Sequence, residues 1–213
     1  MAIVAIAAPV VSAHRRDEYL QAARIGIGQD GVQIELDLTP GIALADVIGR
    51  EIDRDGTGVI SASEGAAYAA LVLDAIRLDV DGAPLRLELV DSRFPTPGSM
   101  KGGEGTIRLE LAATVPRLRV GRHELSYRNS HHPDIGVYLA NALVPTDDRV
   151  AVTAQRRDVD QRELTIAFVL RADPPAGWSG WLFGGLASIV AALAVVRRRL
   201  TPASDLESPG RSA

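Results

Sequence analysis

The sequence has no cysteine among its 213 residues, which excludes disulfide scaffolds, thiolate zinc sites, iron–sulfur clusters and cysteine nucleophiles. It also has no excess of positive charge, since 23 basic residues stand against 27 acidic ones and the net charge is −4. Nucleic-acid-binding domains carry a basic surface, so we expect no nucleic-acid partner. Apolar residues nevertheless make up 46% of the chain, which indicates a folded domain and not a disordered segment.

Familiar catalytic motifs are missing as well. The chain has no Gly-x-Ser-x-Gly elbow, no His-Glu-x-x-His helix and no Walker loop. The segment from Gly26 to Gly31 has the glycine spacing of the dinucleotide fingerprint, but that motif requires a helix after its strand. A second strand is predicted there instead. We therefore expect a protein without catalytic activity.

The first thirteen residues have the composition of an export signal. Their apolar run ends in Val11-Ser12-Ala13, the small residues that signal peptidase accepts, and a charged segment follows at once. The run is shorter than the roughly twenty apolar residues that span a bilayer. A buried first strand is the alternative. We predict a signal peptide over residues 1–13, with His14 as the mature N-terminus.

An uncharged apolar stretch of about nineteen residues, 178–196, lies near the C-terminus and is followed directly by three arginines. Its length predicts a transmembrane helix, and the arginines predict that its C-terminal end is cytoplasmic. The chain is then a single-pass inner (plasma) membrane protein of the cell envelope with a periplasmic or extracellular domain. Its predicted segments are an extracytoplasmic domain (14–172), a linker (173–177), the membrane helix (178–196) and a cytoplasmic tail (197–213). The alternative is a sorting signal that is removed from a processed surface protein.

Small residues recur at every fourth position of the predicted membrane helix, at Gly180, Gly184 and Ser188. This spacing lets two helix backbones approach closely in a bilayer. It predicts a homodimer formed through the membrane helix.

Alternating apolar and polar residues predict several short strands in the extracytoplasmic domain. They cover residues 24–27, 32–38, 76–80, 85–90, 106–112, 123–127, 150–153 and 164–170. Turn signals at Asp30-Gly31 and Asp81-Gly82 separate neighbouring strands, and residues 95–103 form the longest predicted open loop. The pattern favours an antiparallel β-sandwich of seven or eight strands.

Residues 41–76 interrupt this pattern with helical periodicity. The predicted helix faces consist of Leu44, Val47, Ile48 and Ile52, followed by Tyr68, Leu71, Val72, Ala75 and Ile76. The predicted fold class is therefore mainly β with a helical insertion (α+β), in which one EF-hand-like helix–loop–helix joins two strands.

The segment between the two predicted helices matches the twelve-residue EF-hand loop. The candidate ligands are the side chains of Asp53, Asp55, Thr57, Ser61 and Glu64 and the backbone carbonyl of Val59. Gly58 occupies the sixth position, where the chain turns sharply. Oxygen ligands at this spacing suit Ca²⁺ better than Mg²⁺, which requires a tighter octahedron. With three carboxylates, we expect a dissociation constant on the order of 10⁻⁵–10⁻³ M.

A second interpretation of the same segment is a simple turn followed by a helix capping box, because Ser61 and Glu64 also have that spacing. A capping box does not account for the two aspartates, the threonine and the glycine that precede it in register. The chain has one such loop, which is typical of a structural site more than of a paired sensor. We therefore expect calcium to brace the fold.

Histidines offer a weaker metal hypothesis. The mature N-terminus at His14 and the His131-His132 pair are candidate ligands for a second metal, either copper, nickel or zinc. Solvated loop histidines without a metal are the alternative interpretation.

The chain resembles exported bacterial membrane proteins that contain an EF-hand. It is also similar to the extracytoplasmic domains that accompany nickel/cobalt-type permeases of the hydrogenase/urease accessory class. The resemblance rests on the export signal ending at Ala13-His14, Asp17-Glu18-Tyr19-Leu20, the strand pair, the Asp-x-Asp-Gly…Ser-x-x-Glu loop and Tyr138-Leu139-Ala140-Asn141. It implies an envelope domain with a calcium loop that works near metal handling, with a membrane permease as partner.

The sequence thus predicts a membrane-anchored extracytoplasmic calcium-binding domain with a structural or interaction role. Two alternatives stay open. One is an accessory protein for transition-metal (nickel, cobalt or copper) uptake, and the other is a processed surface protein with a C-terminal sorting signal.

Overall fold

The computed structural model describes residues 17–172, which form ten strands and three helices. The strands are β1 (Tyr19–Ile27), β2 (Gly31–Pro40), β3 (Ile76–Val80), β4 (Ala83–Pro84), β5 (Glu88–Arg93), β6 (Ile107–Thr114), β7 (Gly121–Asn129), β8 (Gly136–Ala142), β9 (Val150–Arg157) and β10 (Glu163–Leu170). The helices are α1 (Ala45–Ile52), α2 (Ala62–Asp74) and α3 (Pro97–Lys101). The prediction of a mainly β fold is confirmed.

The strands form two five-stranded sheets in a sandwich-like arrangement. The first sheet has the order β5-β6-β2-β1-β8, and the second has the order β4-β3-β7-β10-β9. Strand pairs are antiparallel except for β1 and β8, which run parallel from Tyr19 beside Gly136 to Ile25 beside Ala142. This pair departs from the predicted purely antiparallel sandwich. The parallel pairing arises because β7 ends beside the start of β1. Strand β8, which follows β7, therefore joins the first sheet in the same direction as β1.

The core lies between the two sheets and is built from alternate residues of each strand. On β2, Val32, Ile34, Leu36 and Leu38 are fully buried, and their counterparts on β10 are Leu164, Ile166, Phe168 and Leu170. Period-two alternation places these side chains on one face of each strand, as the sequence predicted.

The helical insertion connects β2 of the first sheet to β3 of the second. Ile48 and Ile52 of α1 and Tyr68 of α2 are buried, as predicted, but Val47 and Leu71 are exposed. The buried face of each helix is therefore shifted from the predicted one, since Gly49 of α1 and Ala69 of α2 lie on the buried side and Val47 and Leu71 do not.

Two segments of the sandwich differ from the prediction. The predicted open loop 95–103 contains α3, whose N-cap Thr96 accepts a hydrogen bond from the backbone of Ser99 at 3.2 Å. Strand β8 was not predicted, because apolar residues lie on both of its faces and alternation is weak there. Tyr138 and Ala140 point inward, whereas Val137 and Leu139 are exposed.

The two ends of the sandwich carry different structures. The end that we call the loop end holds α1, α2, the 130–135 connection and the β9–β10 turn. The end that we call the exit end lies where β10 finishes at Leu170, beside Gly121 of β7 and Val150 of β9. It also includes the β1–β2 turn and the connections 115–120 and 143–149. Strand β10 spans eight residues, so the two ends are about 26 Å apart.

The predicted signal peptide, His14, the linker, the membrane helix with its glycine row and the cytoplasmic tail all lie outside the described residues. Between residues 17 and 172, no helix is long and apolar enough to cross a bilayer.

Candidate metal-binding loop

A nine-residue segment joins α1 to α2 and turns the chain between them. Helix α1 ends at Ile52, and the Asp53 backbone N–H donates to the Gly49 carbonyl at 2.8 Å. The turn needs two residues with positive φ, namely Gly56 at 69° and Gly58 at 78°, which only glycine adopts without strain. Ile60 then packs against the core before α2 begins at Ala62. The segment is therefore anchored at both ends, while its tip is exposed.

Three carboxylates converge in this loop. Oxygen atoms of Asp53, Asp55 and Glu64 all lie within 4.8 Å of one another. Ca²⁺ binds oxygen at 2.3–2.6 Å, so two oxygens on a single calcium ion are at most about 5 Å apart. The spacing of the carboxylates is therefore compatible with a shared cation of that size.

Backbone N–H groups hold the two aspartates in place. Thr57 N donates to Asp53 Oδ1 and to Asp55 Oδ1, each at 3.1 Å. Gly58 N donates to Asp53 Oδ2 at 2.8 Å. Because these donors come from the glycine-containing turn, the conformation of the turn sets the positions of both carboxylates.

The Glu64 carboxylate closes the loop. Its Oε1 accepts from Arg54 N at 2.8 Å and from Asp55 N at 3.3 Å, at the start of the loop. Its Oε2 accepts from Ser61 N at 2.9 Å and from Ser61 Oγ at 2.6 Å, at the end of the loop. These hydrogen bonds, above all those from Ser61, lower the pKa of Glu64 to about 2. Glu64 is thus ionised at neutral pH.

The four donors fill the lone pairs of the Glu64 carboxylate. A cation bound by both oxygens of Glu64 would therefore displace at least one donor from each oxygen, Arg54 N or Asp55 N from Oε1 and Ser61 N or Ser61 Oγ from Oε2. Ser61 and Glu64 also form a complete capping box at the start of α2. The capping box and the acidic loop, which the sequence analysis treated as alternatives, are present together.

The remaining predicted ligands lie along the same loop. Thr57 Oγ1 donates to the Val59 carbonyl at 3.1 Å, which leaves lone pairs on both oxygens. The Ser61 hydroxyl also lies 3.1 Å from Ser63 Oγ. Five of the six predicted ligands thus lie in the segment between the helices, and Glu64 lies in the first turn of α2. The shared 4.8 Å cluster consists of the three carboxylates.

The adjacent histidines lie at the same end of the sandwich. Their ring centroids are 4.3 Å apart, but each Nε2 already has a partner: Tyr68 Oη at 3.1 Å for His131 and Glu51 Oε2 at 2.9 Å for His132. His131 is only 6% exposed, and this burial lowers its pKa to about 4. His131 is therefore neutral at pH 7. A second metal at these histidines stays a prediction, and its ligation would have to compete with these hydrogen bonds.

A buried polar network, which the sequence analysis missed, surrounds His131. Tyr19 Oη and Tyr68 Oη are 2.6 Å apart, and the His131 carbonyl accepts from Gln21 Nε2 and from Tyr138 Oη, each at 2.7 Å. Asn129 Nδ2 donates to Gln21 Oε1 at 2.8 Å, while its Oδ1 accepts from His131 N at 2.9 Å. The signal in the sequence was a pair of polar residues, Tyr19 and Gln21, at inward positions of β1.

This network attaches the insertion to the sheets. Tyr68 belongs to α2, four residues beyond Glu64, and Glu51 belongs to α1, two residues before Asp53. Each helix that flanks the acidic loop is thus hydrogen-bonded to a histidine of the 130–135 connection. The loop is held by polar contacts as well as by apolar packing.

Comparisons of the chain with protein-family models, with curated proteins and with solved structures found no match.

Proposed function

We propose that residues 53–64 bind Ca²⁺ and that the domain is an extracytoplasmic, membrane-anchored calcium-binding module without catalytic activity. The convergence of the Asp53, Asp55 and Glu64 carboxylates between two helices carries this proposal. The predicted signal peptide and C-terminal apolar stretch supply the export and the anchor.

The chemistry of the donors favours calcium. The loop offers only oxygen atoms, which suit hard divalent cations and not the softer copper or zinc. Its exposed, glycine-containing turn adapts more readily to the flexible geometry of Ca²⁺ than to the strict octahedron of Mg²⁺. Three carboxylates within 4.8 Å also repel one another, and a bound cation would relieve that repulsion.

The position of the loop supports a structural role for the ion. Calcium would join the end of α1, through Asp53, to the start of α2, through Glu64. Since both helices are also hydrogen-bonded to His131 and His132, the ion would complete the attachment of the insertion to the loop end of the sandwich.

Thermal unfolding of the detergent-solubilised full chain tests the proposal. For a dissociation constant of about 10⁻⁴ M, 10 mM Ca²⁺ adds about 2.7 kcal/mol to the free energy of unfolding. In a domain of this size, that shift raises the Tm by about 5–10 °C. We expect Asp53→Ala to abolish the rise, while Asp148→Ala, an exposed aspartate at the exit end, retains it.

An identical Tm with calcium and with a chelator would contradict the calcium site. An equal rise in the Asp53→Ala variant would place the ion elsewhere. Magnesium at the same concentration serves as the control for charge screening, and we expect it to raise the Tm less than calcium does.

A further inference from the structure

We propose that the exit end of the sandwich is a docking surface for an anionic lipid bilayer. The surface consists of residues 116–120, residues 143–146 and Arg171, which we call the exit surface. This inference rests on the proposed membrane anchor and is independent of calcium binding.

Three exposed apolar side chains lie on the exit surface. Val144 is 89% exposed and Val120 is 64% exposed, and Leu143 beside Val144 is also exposed. They belong to the two connections by which the chain crosses between the sheets at this end. Leu143 N donates to the Ile25 carbonyl at the end of β1, and Gly121, next to Val120, pairs with Leu170 at the end of β10. Both connections therefore lie at the end where the chain leaves the domain.

Arginines accompany these valines. Arg117, Arg119 and Arg171 are exposed, and none of their guanidinium groups forms an ion pair with a residue in 17–172. The nearby Asp147 is bonded to Arg149 at 3.0 Å, so it does not neutralise them. The other acidic groups at this end include Asp30, Asp148 and Glu88, which lies near Val144, and Asp81, which is bonded to His123 at 2.7 Å. A basic side chain near an anionic leaflet is attracted to its negative surface potential.

The length of the chain beyond the domain identifies the occupant. Five residues, 173–177, separate Ala172 from the predicted membrane helix, and five extended residues span at most about 18 Å. Such a short tether favours contact between the bilayer surface and the exit end over contact with the loop end. A few exposed apolar side chains among arginines also suit a lipid headgroup region, whereas a protein partner would bind a larger contiguous apolar patch.

The absence of cysteine allows a direct test in the full chain. A nitroxide spin label is attached to Val144→Cys or Val120→Cys, and the chain is reconstituted at one copy per lipid nanodisc containing anionic lipid. We expect both labels to collide less with a water-soluble nickel chelate than they do in detergent. The matched control is Val159→Cys in the β9–β10 turn at the loop end, which is 99% exposed and should stay fully accessible.

The charge contribution is tested with paired substitutions. Arg117→Gln with Arg119→Gln should restore chelate access at position 144, as should replacing the anionic lipid with a zwitterionic one. The control pair, Arg77→Gln with Arg128→Gln, removes two exposed arginines that lie side by side at the loop end. It should leave the shielding unchanged.

Each outcome decides the matter. If the chain inserts into nanodiscs but the labels at positions 120 and 144 are as accessible as the label at 159, the exit surface does not contact the bilayer. That result would contradict this proposal without contradicting the membrane anchor. Failure of the chain to insert would overturn the anchor and the exit surface with it. Shielding that occurs only with two copies per disc would identify a second chain as the occupant and also overturn the proposal.

Discussion

The Tyr68 hydroxyl is the contact whose loss should weaken the attachment of the helical insertion most. It joins Tyr19 Oη at 2.6 Å and His131 Nε2 at 3.1 Å in a buried environment. Tyr68→Phe removes this hydroxyl while preserving the ring, so Tyr19 and His131 each lose a partner that water cannot replace. An unsatisfied buried polar group costs roughly 1–3 kcal/mol, and we expect a total loss of about 3 kcal/mol for the pair.

Thermal unfolding of the detergent-solubilised full chain measures this loss, which corresponds to a Tm lower by about 6–12 °C. Tyr127→Phe is the matched control, because the Tyr127 hydroxyl is buried without a hydrogen-bond partner among the described residues. Removing it should leave the stability unchanged or raise it, since no hydrogen bond is lost.

A double-mutant cycle separates the hydrogen bond from the packing. Tyr19→Phe combined with Tyr68→Phe removes both hydroxyls of the pair, so the double variant should be less destabilised than the sum of the single variants by about 0.5–3 kcal/mol. Additive losses, or equal losses in Tyr68→Phe and Tyr127→Phe, would refute the network as the source of stability.

Two further predictions concern pH and packing. Burial lowers the pKa of His131 to about 4, against an ordinary value of 6.5, so the unfolded chain binds more protons between these values. The free energy of unfolding should therefore lose nothing to His131 above pH 6.5 and fall by about 3 kcal/mol on acidification to pH 4. The free energy of unfolding of His131→Gln should depend less steeply on pH in this range. A Cβ at Gly105 would lie 2.7 Å from Met100 N, so Gly105→Ala should destabilise the domain by about 1–3 kcal/mol in urea unfolding. At Gly98 the nearest atom is 3.9 Å away, and Gly98→Ala should be tolerated; an equal loss in the two variants would contradict the steric argument.

Local patterns in the sequence predict the features that depend on neighbouring residues. The alternation along β2 and β10 depends only on which side chains share a face, and the structure buries those side chains. The acidic loop is also local, because its carboxylates lie within twelve residues and the turn is set by Gly56 and Gly58. Its ion, by contrast, is a proposal from chemistry.

Features that depend on distant residues escape such patterns. Gln21 meets the His131 carbonyl across 110 positions of the chain, and no periodicity near either residue indicates this contact. The parallel pairing of β1 with β8 has the same origin. The short helix α3 escapes prediction for a different reason, since its five residues contain no apolar repeat and only the Thr96-Pro97 start suggests it.

The strand order has a consequence for the time at which the domain can fold. Strand β1 lies between β2 and β8, and β10 lies between β7 and β9, so each sheet needs a late segment of the chain to complete its pairing. The first sheet lacks its edge until residue 142 emerges, and the second lacks an interior strand until residue 170 does. Closing such long loops slows folding. A polypeptide that emerges from its N-terminus, as during synthesis, would consequently remain open until its last strand, β10, is free to pair.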